Sequence, residues 1–468
     1  MTRLHETIDV PRAIGEAFRY TSDFSNIEQW DPSVSESSRL DAGPVGKGSR
    51  FRVVVKAGLS RTPMDYVVTA YDPPLRVVLE GRGDGIEAID EIRFSAVAGA
   101  TRIEYTADIS LGGLAGLAQP LLGGVLERVG KRAVSGLKEA LSAEPAVPRA
   151  SLLRDVFDRM VLPGALAFTR FGYARSKRGW APLAVSLQGR TVVVTGATAG
   201  LGRAAAARLA GLDARVVLVG RNREKLERAR REIVDATGNR QVAIELADLS
   251  LMAEVRALAQ RLLERERAIH VLVNNAAVLP PERALTAEGL ETAFATDLLS
   301  PFLLTRLLLP RLQASAPARI VNVSSGGMYL SGIDVADLQN ERGRYDGSRA
   351  YARAKRGLVI LTELWAHELQ GSGVVLNAMH PGWADTPGVA TSLPGFHRLT
   401  RAVLRTPEQG ADTMVWLAAA AEAGQVSGKF WLDREPHLAA ILPGTAGSAR
   451  ERRALVDELE RLSGLAGV

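Results

Sequence analysis

The fold of the longer part of this 468-residue chain is decided by residues 191–202, which read TVVVTGATAGLG. The opening run of β-branched residues is typical of a strand buried on both faces of a parallel sheet. The glycines that follow let a backbone approach a pyrophosphate closely, and the start of the next, alanine-rich helix offers it unpaired N–H groups. We therefore predict a dinucleotide-binding turn here. The alternative is a tight turn without a ligand.

The same order of strand, turn and helix repeats further along the chain. Apolar, mostly β-branched runs lie at residues 215–219, 242–246, 271–273, 320–323 and 374–376, with helical patterns between them. This alternation predicts an α/β Rossmann fold with a doubly wound parallel sheet over residues 188–468. Ligands of such a sheet bind at the carboxyl ends of its strands, so the functional residues are expected there.

The N-terminal part of the chain has a different pattern. Residues 102–109 alternate polar and apolar, as in a half-buried antiparallel strand, and similar patches begin at residues 51, 66, 75 and 86. Apolar residues then recur at helical spacing from Leu121 to Leu141. Glycines weaken that helix, so we expect packing on the sheet to hold it. We predict an α+β domain over residues 1–142.

Residues 143–187 are expected to link the two domains. Pro145 and Pro148 stop the preceding helix, and the segment mixes basic with apolar side chains. This composition suits either an acidic membrane surface or packing between domains, and Pro163 and Gly164 favour packing because they interrupt an amphipathic helix. The apolar residues concerned are Val156, Phe157, Met160, Leu162, Phe168, Phe171 and Tyr173.

Composition excludes several classes of function. With 46% hydrophobic and 24% charged residues the chain is globular, and the absence of cysteine excludes disulfides, thiol nucleophiles and cysteine metal sites. The six histidines form no i, i+4 pair, so a metal site is not expected. Of the net charge of +6, all falls within residues 149–190, so a broad basic face for nucleic acid is not expected.

Two stretches of the chain bear on membrane segments and targeting signals. Residues 1–10 contain no apolar run, which predicts a cytoplasmic protein. The longest uncharged stretch, residues 109–126, has the length of a membrane span but contains five glycines and Pro120. We interpret it as a loop followed by the start of a helix.

Chemistry is concentrated in two motifs, one on a predicted helix and one at the end of a predicted strand. Tyr351 and Lys355 lie four residues apart, on one face of a helix. Ser324 and Ser325 follow the strand at residues 320–323. A lysine cation next to a phenol stabilises the phenolate, which brings a group of ordinary pKa ~10 towards the range useful in acid–base catalysis.

Together with the NNAA string at residues 274–277 and the PGWADT string at 381–386, these motifs resemble the short-chain dehydrogenase/reductase family from residue 188 to about residue 462. Four further strings resemble its subgroup named after dehydrogenase/reductase member 12: FGY at residues 171–173, SGGM at 325–328, HPGWADTPGV at 380–389 and QGADTM at 409–414. The resemblance implies that Tyr351 is the general acid/base, that Ser325 holds the substrate oxygen, and that Lys355 binds the nicotinamide ribose and lowers the pKa of the phenol. It implies a cofactor site formed by Gly196, Thr198, Gly200, Leu201, Gly202, Arg203, Arg221, Asp248, Leu249, Asn275, Ala276, Ala277, Tyr351, Lys355, Pro381, Gly382 and Thr386.

The end of the second strand of this domain predicts which nicotinamide cofactor is used. An acidic residue there would accept the ribose hydroxyl of NAD, but Gly220 and Arg221 stand in its place. A guanidinium favours a 2′-phosphate, and Arg203 could reinforce the contact. We therefore expect NADP(H). The alternative is that both arginines are ordinary surface charges.

The N-terminal residues 1–142 resemble the cyclase/START-like helix-grip family in the order of their elements. The resemblance implies an apolar cavity between the curved sheet and the C-terminal helix, suited to lipids, polyketides or aromatic molecules. A structural or interaction module with a filled interior is the alternative.

Three features depart from the reductase family's pattern. Ala277 replaces a glycine, Asp297 replaces the asparagine of the catalytic tetrad, and the spacing of 26 residues between Ser325 and Tyr351 implies an inserted loop through residues 334–349. An ionised aspartate cannot donate a hydrogen bond through its side chain, so the family's water relay is in question.

The sequence as a whole predicts an NADP(H)-dependent oxidoreductase of a hydrophobic alcohol or carbonyl compound, joined to a domain that binds hydrophobic ligands. The alternative is a catalytically weak scaffold that binds nucleotide and lipid, as Asp297 and Ala277 suggest. Homo-oligomer formation is left open.

Overall fold

A computed structural model describes residues 2–41, 45–57, 60–142 and 166–465. The chain forms two compact units: a first domain of residues 1–145 and 174–186, and a second domain of residues 146–173 and 187–468. The segment expected to be a linker is therefore shared between the two domains. Its residues Val156, Phe157, Met160 and Leu162 lie outside the described part of the chain.

The first domain is an antiparallel sheet of seven strands with a long helix after the last strand. The strand order is β1-β7-β6-β5-β4-β3-β2. This is the α+β helix-grip arrangement that the sequence predicted. Its elements are β1 (Thr2–Val10), α1 (Ile14–Ser22), β2 (Val34–Arg39), β3 (Arg50–Ala57), β4 (Ser60–Asp72), β5 (Arg76–Gly83), β6 (Ile86–Val97), β7 (Ala100–Leu111) and α2 (Gly113–Ser142), with a 3-10 turn at Phe24–Gln29.

Glycines on α2 allow the helix to approach the rest of the domain closely. A Cβ at Gly130 would lie 2.3 Å from the Leu4 side chain, and one at Gly136 would lie 2.1 Å from the carbonyl oxygen of Trp30. Leu137 and Leu141 are fully buried in the same core. Glycine lowers the helix propensity at these two positions. It also allows the close contacts of α2 with Leu4 and Trp30.

Two details of this domain differ from the sequence prediction. A loop was expected within residues 109–126, but β7 continues to Leu111 and α2 begins at Gly113. Strand β2 was not predicted, because its sequence VSESSR lacks a clear alternation and is placed by pairing with β3.

The second domain is built on an eight-stranded sheet of order β10-β9-β8-β11-β12-β13-β14-β15, parallel except for the last pair. This confirms the doubly wound Rossmann fold. The strands are β8 (Thr191–Thr195), β9 (Arg215–Gly220), β10 (Val242–Leu246), β11 (Val271–Asn274), β12 (Ala318–Val323), β13 (Val374–Met379), β14 (Phe430–Leu432) and β15 (Glu435–His437).

Helices cover both faces of this sheet, apart from α3 (Arg170–Lys177), which contributes residues to both domains. The helix α7 runs over Thr292–Ala314 with a π-helical turn at Ala295–Leu299. The others are α4 (Gly200–Ala210), α5 (Arg223–Thr237), α6 (Met252–Arg265), α8 (Gly347–Glu368), α9 (Pro387–Ser392), α10 (Pro394–Thr400), α11 (Pro407–Ala419) and α12 (Ala449–Ser463), with short 3-10 turns at Gly326–Leu330, Val335–Asp337, Arg401–Val403 and Glu422–Gln425.

The sequence did not predict the short hairpin of β14 and β15. Its two turn residues, Asp433 and Arg434, have φ of +52° and +59°, backbone angles that residues other than glycine rarely adopt. Both are fixed by bidentate ion pairs, Asp433 with the buried Arg405 and Arg434 with Asp412. These contacts between distant segments hold a turn that local sequence does not favour.

Among the described helices, α7 alone is long and apolar enough to cross a membrane, with a mean hydropathy of 1.3. However, 78% of that window is buried inside the protein. Its leucines and phenylalanines pack in the main core of the second domain. The high hydropathy of this helix is therefore explained by its place in that core.

Candidate active site

The carboxyl ends of four parallel strands meet at one edge of the second sheet. Strand β11 pairs Val273 with Val194 of β8, and β12 pairs Asn322 with Asn274 and Val323 with Met379 of β13. The segments that follow these strands therefore lie side by side. They carry the glycine turn, the NNAA string, Ser325 and the PGWADT string.

The glycine turn leaves no room for side chains. Gly196 has φ +66°, and a Cβ at Gly202 would lie 2.4 Å from the carbonyl oxygen of Gly196 and 2.5 Å from Nδ2 of Asn275. Helix α4 therefore sits directly on the turn, and no side chain caps its first N–H groups. A cradle of this kind fits the pyrophosphate of a dinucleotide.

Several of the predicted contact residues surround this cradle. Thr386 is close to Gly200, since a Cβ on that glycine would lie 3.2 Å from the Thr386 methyl group. The Thr198 methyl group would lie 2.9 Å from a Cβ on Gly220, at the end of β9. The structure thus brings together the turn, the end of the second strand and the start of α9.

Asn275 fixes the loop after β11. Its backbone N–H and that of Ala276 donate to Oγ1 of Thr195, at 2.9 and 3.0 Å, and its Nδ2 donates to the Thr195 carbonyl at 2.9 Å. Ala277 is exposed, so its methyl group fits without displacing neighbouring protein atoms. Asp248 accepts hydrogen bonds from the backbone and hydroxyl of Ser250, and Leu249 is buried.

The two arginines proposed for the phosphate differ in their surroundings. Arg221 is exposed and has no hydrogen bond or ion pair with any described residue. Arg203 is bound to Glu232, with 2.5 Å between Nη1 and Oε2. Arg221 is therefore the cation available to a ligand.

Ser325, Tyr351 and Lys355 form one cluster. The Ser325 hydroxyl is near enough to Tyr351 to lower the pKa of its phenol. Nζ of Lys355 lies 5.6 Å from the centre of the Tyr351 ring and donates to the carbonyl of Val323 at 3.0 Å. Because Lys355 is only 1% exposed, its charge acts in a poorly solvated site.

The pKa of Tyr351 is shifted in the direction opposite to that implied by the resemblance. Burial raises it above its ordinary value, the Asp297 carboxylate raises it further, and only the hydrogen bond with Ser325 lowers it. Burial also lowers the pKa of Lys355, against the opposing effect of Asp297. In the free protein, desolvation is therefore the largest effect on the pKa of Tyr351.

Asp297 lies within the π-helical turn of α7 and is fully buried. Its Oδ1 accepts a hydrogen bond from the backbone N–H of Val278 at 2.8 Å, whereas Oδ2 has no partner among the described residues. Burial raises the pKa of this carboxyl to about 7, and Glu291 adds to the shift while Lys355 and Val278 oppose it. An aspartate thus provides an accepting oxygen here, which an asparagine side chain could provide equally.

The inserted loop is anchored by residues that sequence reasoning missed. Glu291 is fully buried, caps the start of α7 through the N–H groups of Ala293 and Phe294, and accepts a hydrogen bond from the Tyr345 hydroxyl at 3.0 Å. Gly347 is in close contact with the carbonyl of Pro280. In the sequence, only the carboxylate of Glu291 at the start of a helix could have indicated this role, because no local pattern links residues 291 and 345.

Arg356 is a second missed residue, next to Lys355 in the chain. Its fully buried guanidinium donates to the carbonyls of Met328, Ser331 and Ala439, at 2.6–3.2 Å. Two of these carbonyls belong to the segment that follows Ser325, so Arg356 positions that segment. No local sequence pattern reveals this role.

Aromatic side chains also connect the segment after β13 with α10. The Trp383 ring lies 5.1 Å from that of Phe396 and 6.0 Å from that of Phe168. Phe168 also contacts the buried His380. Leu330, in the segment after Ser325, and Leu399 of α10 are 81% and 87% exposed.

Comparison with known proteins shows the family to which the chain belongs. Residues 190–394 match the family model described as short chain dehydrogenase. Dehydrogenase/reductase SDR family member 12 of Homo sapiens is 40% identical over 305 residues, covering 64% of this chain and 95% of that protein. The chain belongs to the short-chain dehydrogenase/reductase family. The recognition of this family and of its member 12 subgroup from the motifs is confirmed.

Other similar proteins match a smaller share of the chain. Retinol dehydrogenase 13 of Mus musculus is 38% identical over 265 residues, covering 54% of this chain and 78% of that protein. The crystal structure of levodione reductase is 26% identical with a TM-score of 0.44, covering 52% of this chain and 95% of its own. Residues 1–142 match a separate family model, described as polyketide cyclase / dehydrase and lipid transport.

We predict that Tyr351→Phe abolishes turnover on any substrate while NADPH affinity stays within a few-fold of wild type. The substitution removes only the transferable proton. Steady-state kinetics and fluorescence titration of NADPH measure the two quantities. Tyr345→Phe is the matched control and is expected to keep most of the turnover, whereas turnover by Tyr351→Phe would mean that another group protonates the substrate oxygen.

We predict that Asp297→Asn preserves or raises activity and moves the acidic limb of the pH profile for alcohol oxidation to lower pH. With Tyr351 as the expected base, oxidation would use its phenolate, and the Asp297 carboxylate, present above a pKa of about 7, opposes that ionisation. The measurement is kcat/KM against pH, with exposed Asp235→Asn as control. Loss of activity in folded Asp297→Asn would show that the carboxylate has a role of its own.

Proposed function

We propose that the protein is an NADP(H)-dependent oxidoreductase that interconverts a hydrophobic alcohol and the matching carbonyl compound, and that its first domain binds molecules of the same hydrophobic class. Membership of the short-chain dehydrogenase/reductase family supports the reaction type. The proposal rests above all on the cluster of Ser325, Tyr351 and Lys355 beside the glycine cradle.

The residues of the cluster have complementary roles in carbonyl reduction. The Ser325 hydroxyl donates a hydrogen bond to the carbonyl oxygen and holds it beside the Tyr351 hydroxyl. The phenolic proton of Tyr351 then moves to that oxygen, which becomes the alcohol. Lys355 stabilises the phenolate left behind by its charge, and oxidation of the alcohol follows the reverse path. When bound, the nicotinamide supplies or accepts the hydride.

The cradle and the end of β9 would hold the cofactor. The uncapped start of α4 suits the pyrophosphate, and the exposed Arg221 suits a 2′-phosphate. Arg203 could help only by leaving Glu232, so it contributes less. Gly220 in place of an acidic residue leaves no carboxylate to repel the phosphate.

The lining of the site favours an apolar substrate. Trp383 and Phe396 form an aromatic wall, and Leu330 and Leu399 offer exposed apolar surface next to it. The relatives include proteins named retinol dehydrogenase, a name that refers to an apolar alcohol. Apolar contacts of this kind provide affinity, while Ser325 and Tyr351 fix the oxygen.

A second candidate is a weakly catalytic nucleotide-binding scaffold, and the Asp297 carboxylate favours it. A negative charge beside Tyr351 opposes phenolate formation, and Oδ2 has no partner in the described part of the protein. Activity measurements separate the two candidates.

We expect the full-length protein to oxidise or reduce at least one member of a panel of retinoids, steroids, quinones and aliphatic aldehydes, with NADPH absorbance at 340 nm as the measurement. The Tyr351→Phe variant is the blank for each substrate. Tight NADPH binding without turnover across the panel would favour the scaffold.

We also predict that NADPH binds at least about tenfold more tightly than NADH, and that Arg221→Ala removes most of the difference. One charge-assisted phosphate contact contributes ~1.5–3 kcal/mol, which corresponds to about tenfold or more in affinity. Titration of both cofactors measures the ratio, with the exposed Arg240→Ala as control. Equal dissociation constants in the wild type would contradict NADP(H) preference.

A further inference from the structure

The inner face of the first domain's sheet carries a buried carboxyl group that the proposed reaction does not use. Asp90 of β6 points inward with Ala88 and Ile92, in a strand that alternates buried and exposed residues. Its Oδ1 accepts a hydrogen bond from the Tyr105 hydroxyl at 2.9 Å. Its Oδ2 has no hydrogen-bond partner in the described part of the chain, although it is buried. A buried acceptor without a partner is unusual and calls for a ligand.

A second tyrosine reaches the same carboxyl from the other side. Tyr66 of β4 lies directly opposite Gly81 of β5, and Gly81 lies opposite Ala88 of β6. A Cβ at Gly81 would lie 2.4 Å from Cζ of Tyr66, so the ring crosses β5 over this glycine. Asp90 and Tyr66 interact through their side chains. The carboxyl is thus framed by two phenols.

The inward side chains around Asp90 are slightly exposed. Tyr66, Ala88, Asp90, Tyr105 and Ala107 are 4–7% exposed, as are Leu4 and Phe94 of the same inner face. Val77, Leu79, Ile92 and Ile103 are sealed, with 0% exposure. The surroundings of the polar group are therefore not fully sealed from solvent.

No cation among the described residues is paired with Asp90. Its pKa is raised to about 7, mainly by burial, with a further contribution from Asp31 and Asp108, whereas the nearby phenols of Tyr105 and Tyr66 lower it. Above that pH the group is a carboxylate, which accepts hydrogen bonds and cannot donate them. Tyr105 donates to Oδ1, whereas no described side chain forms a hydrogen bond with Oδ2, so Oδ2 is open to a donor from a ligand.

An alcohol and the corresponding carbonyl compound differ in their ability to donate a hydrogen bond. The alcohol has an O–H group that can donate to Oδ2, whereas an aldehyde or ketone has only an acceptor. A site that needs a donor rejects the analogue that lacks one, because a buried polar atom is then left unpaired.

We propose that the interior of the first domain binds an apolar alcohol through Oδ2 of Asp90 and discriminates against the corresponding carbonyl compound. The inference rests on the proposed binding of hydrophobic molecules by this domain and adds the functional group that is recognised. It places the alcohol member of the redox pair in the first domain and leaves interconversion to the second.

The test is calorimetric titration of the full-length protein, without nicotinamide, at about pH 8.5 with 2-nonanol, 2-nonanone and nonane. We expect 2-nonanol to bind at least about tenfold more tightly than 2-nonanone, the effect of one hydrogen bond to a charged group. Equal affinity for both would overturn the alcohol preference while leaving a hydrophobic site. Binding of none of the three would overturn both the preference and the proposed role of this domain, whatever the turnover of the reductase site.

The Asp90→Asn variant assigns the preference to this residue. Its carbonyl oxygen would keep the hydrogen bond from Tyr105, which places the amide NH₂ where Oδ2 was, so the preference is expected to shift towards 2-nonanone. The matched control is Asp65→Asn, on the solvent side of β4, which should behave as wild type. An unchanged alcohol preference in folded Asp90→Asn would overturn the assignment.

A measurement on the unmodified protein covers the case in which Asp90→Asn fails to fold. At about pH 6 the protonated carboxyl can donate to a ketone, so the alcohol preference should fall several-fold relative to pH 8.5. The other acids near this group are Asp31, the two phenols and, on the solvent side of the sheet, Asp108, which is paired with Arg3. Asp31→Asn tests whether the change arises from Asp31, whose pKa is also raised by burial. A preference independent of pH in the wild type would contradict the proposal.

Discussion

Helix α4 can rest directly on the turn after β8 only because Gly202 has no Cβ. That contact brings the first N–H groups of the helix to the sheet edge and presses Gly196 against the loop after β11. Asn275 then closes the contact through the Thr195 backbone and hydroxyl. The position of every other group at this edge follows from the parallel register of the strands that meet there.

Buried polar groups link this edge to the helix that carries Tyr351. Asn274 of β11 donates to Thr305 of α7 and to Asn322 of β12, and Asn322 donates to Thr362 of α8. Since each donor and acceptor is buried, breaking one bond would leave an unpaired polar atom and cost about 1–3 kcal/mol. The network therefore holds β11, β12 and both helices in one arrangement, and Arg356 extends it to the segment after Ser325.

The two domains use buried carboxyls in similar ways. Asp90 and Asp297 each accept one hydrogen bond, each leave the second oxygen without a partner among the described residues, and each have a pKa raised to about 7 by burial. They differ in their neighbours: Asp297 faces the Lys355 cation, whereas the interactions that shift the pKa of Asp90 include no cation. A charge in a poorly solvated interior is stable only with partners. At both positions, a bound ligand or a proton would therefore determine whether the carboxyl group is charged.

The sequence by itself determined the six parallel strands β8 to β13 of the second sheet, the glycine cradle, the cluster of serine, tyrosine and lysine, and the helix-grip order of the first domain. These follow from local periodicity, from glycines at turns and from fixed spacings on one helix. Only the tertiary structure decided that Arg221 is available while Arg203 is paired, that Glu291 and Arg356 support the site, and that β2, β14 and β15 exist. It also decided the direction of the Tyr351 pKa shift and the isolation of Asp90. Each of these depends on contacts between residues distant in the chain or on the degree of burial, and desolvation is a property of the packed interior that no short stretch of sequence contains.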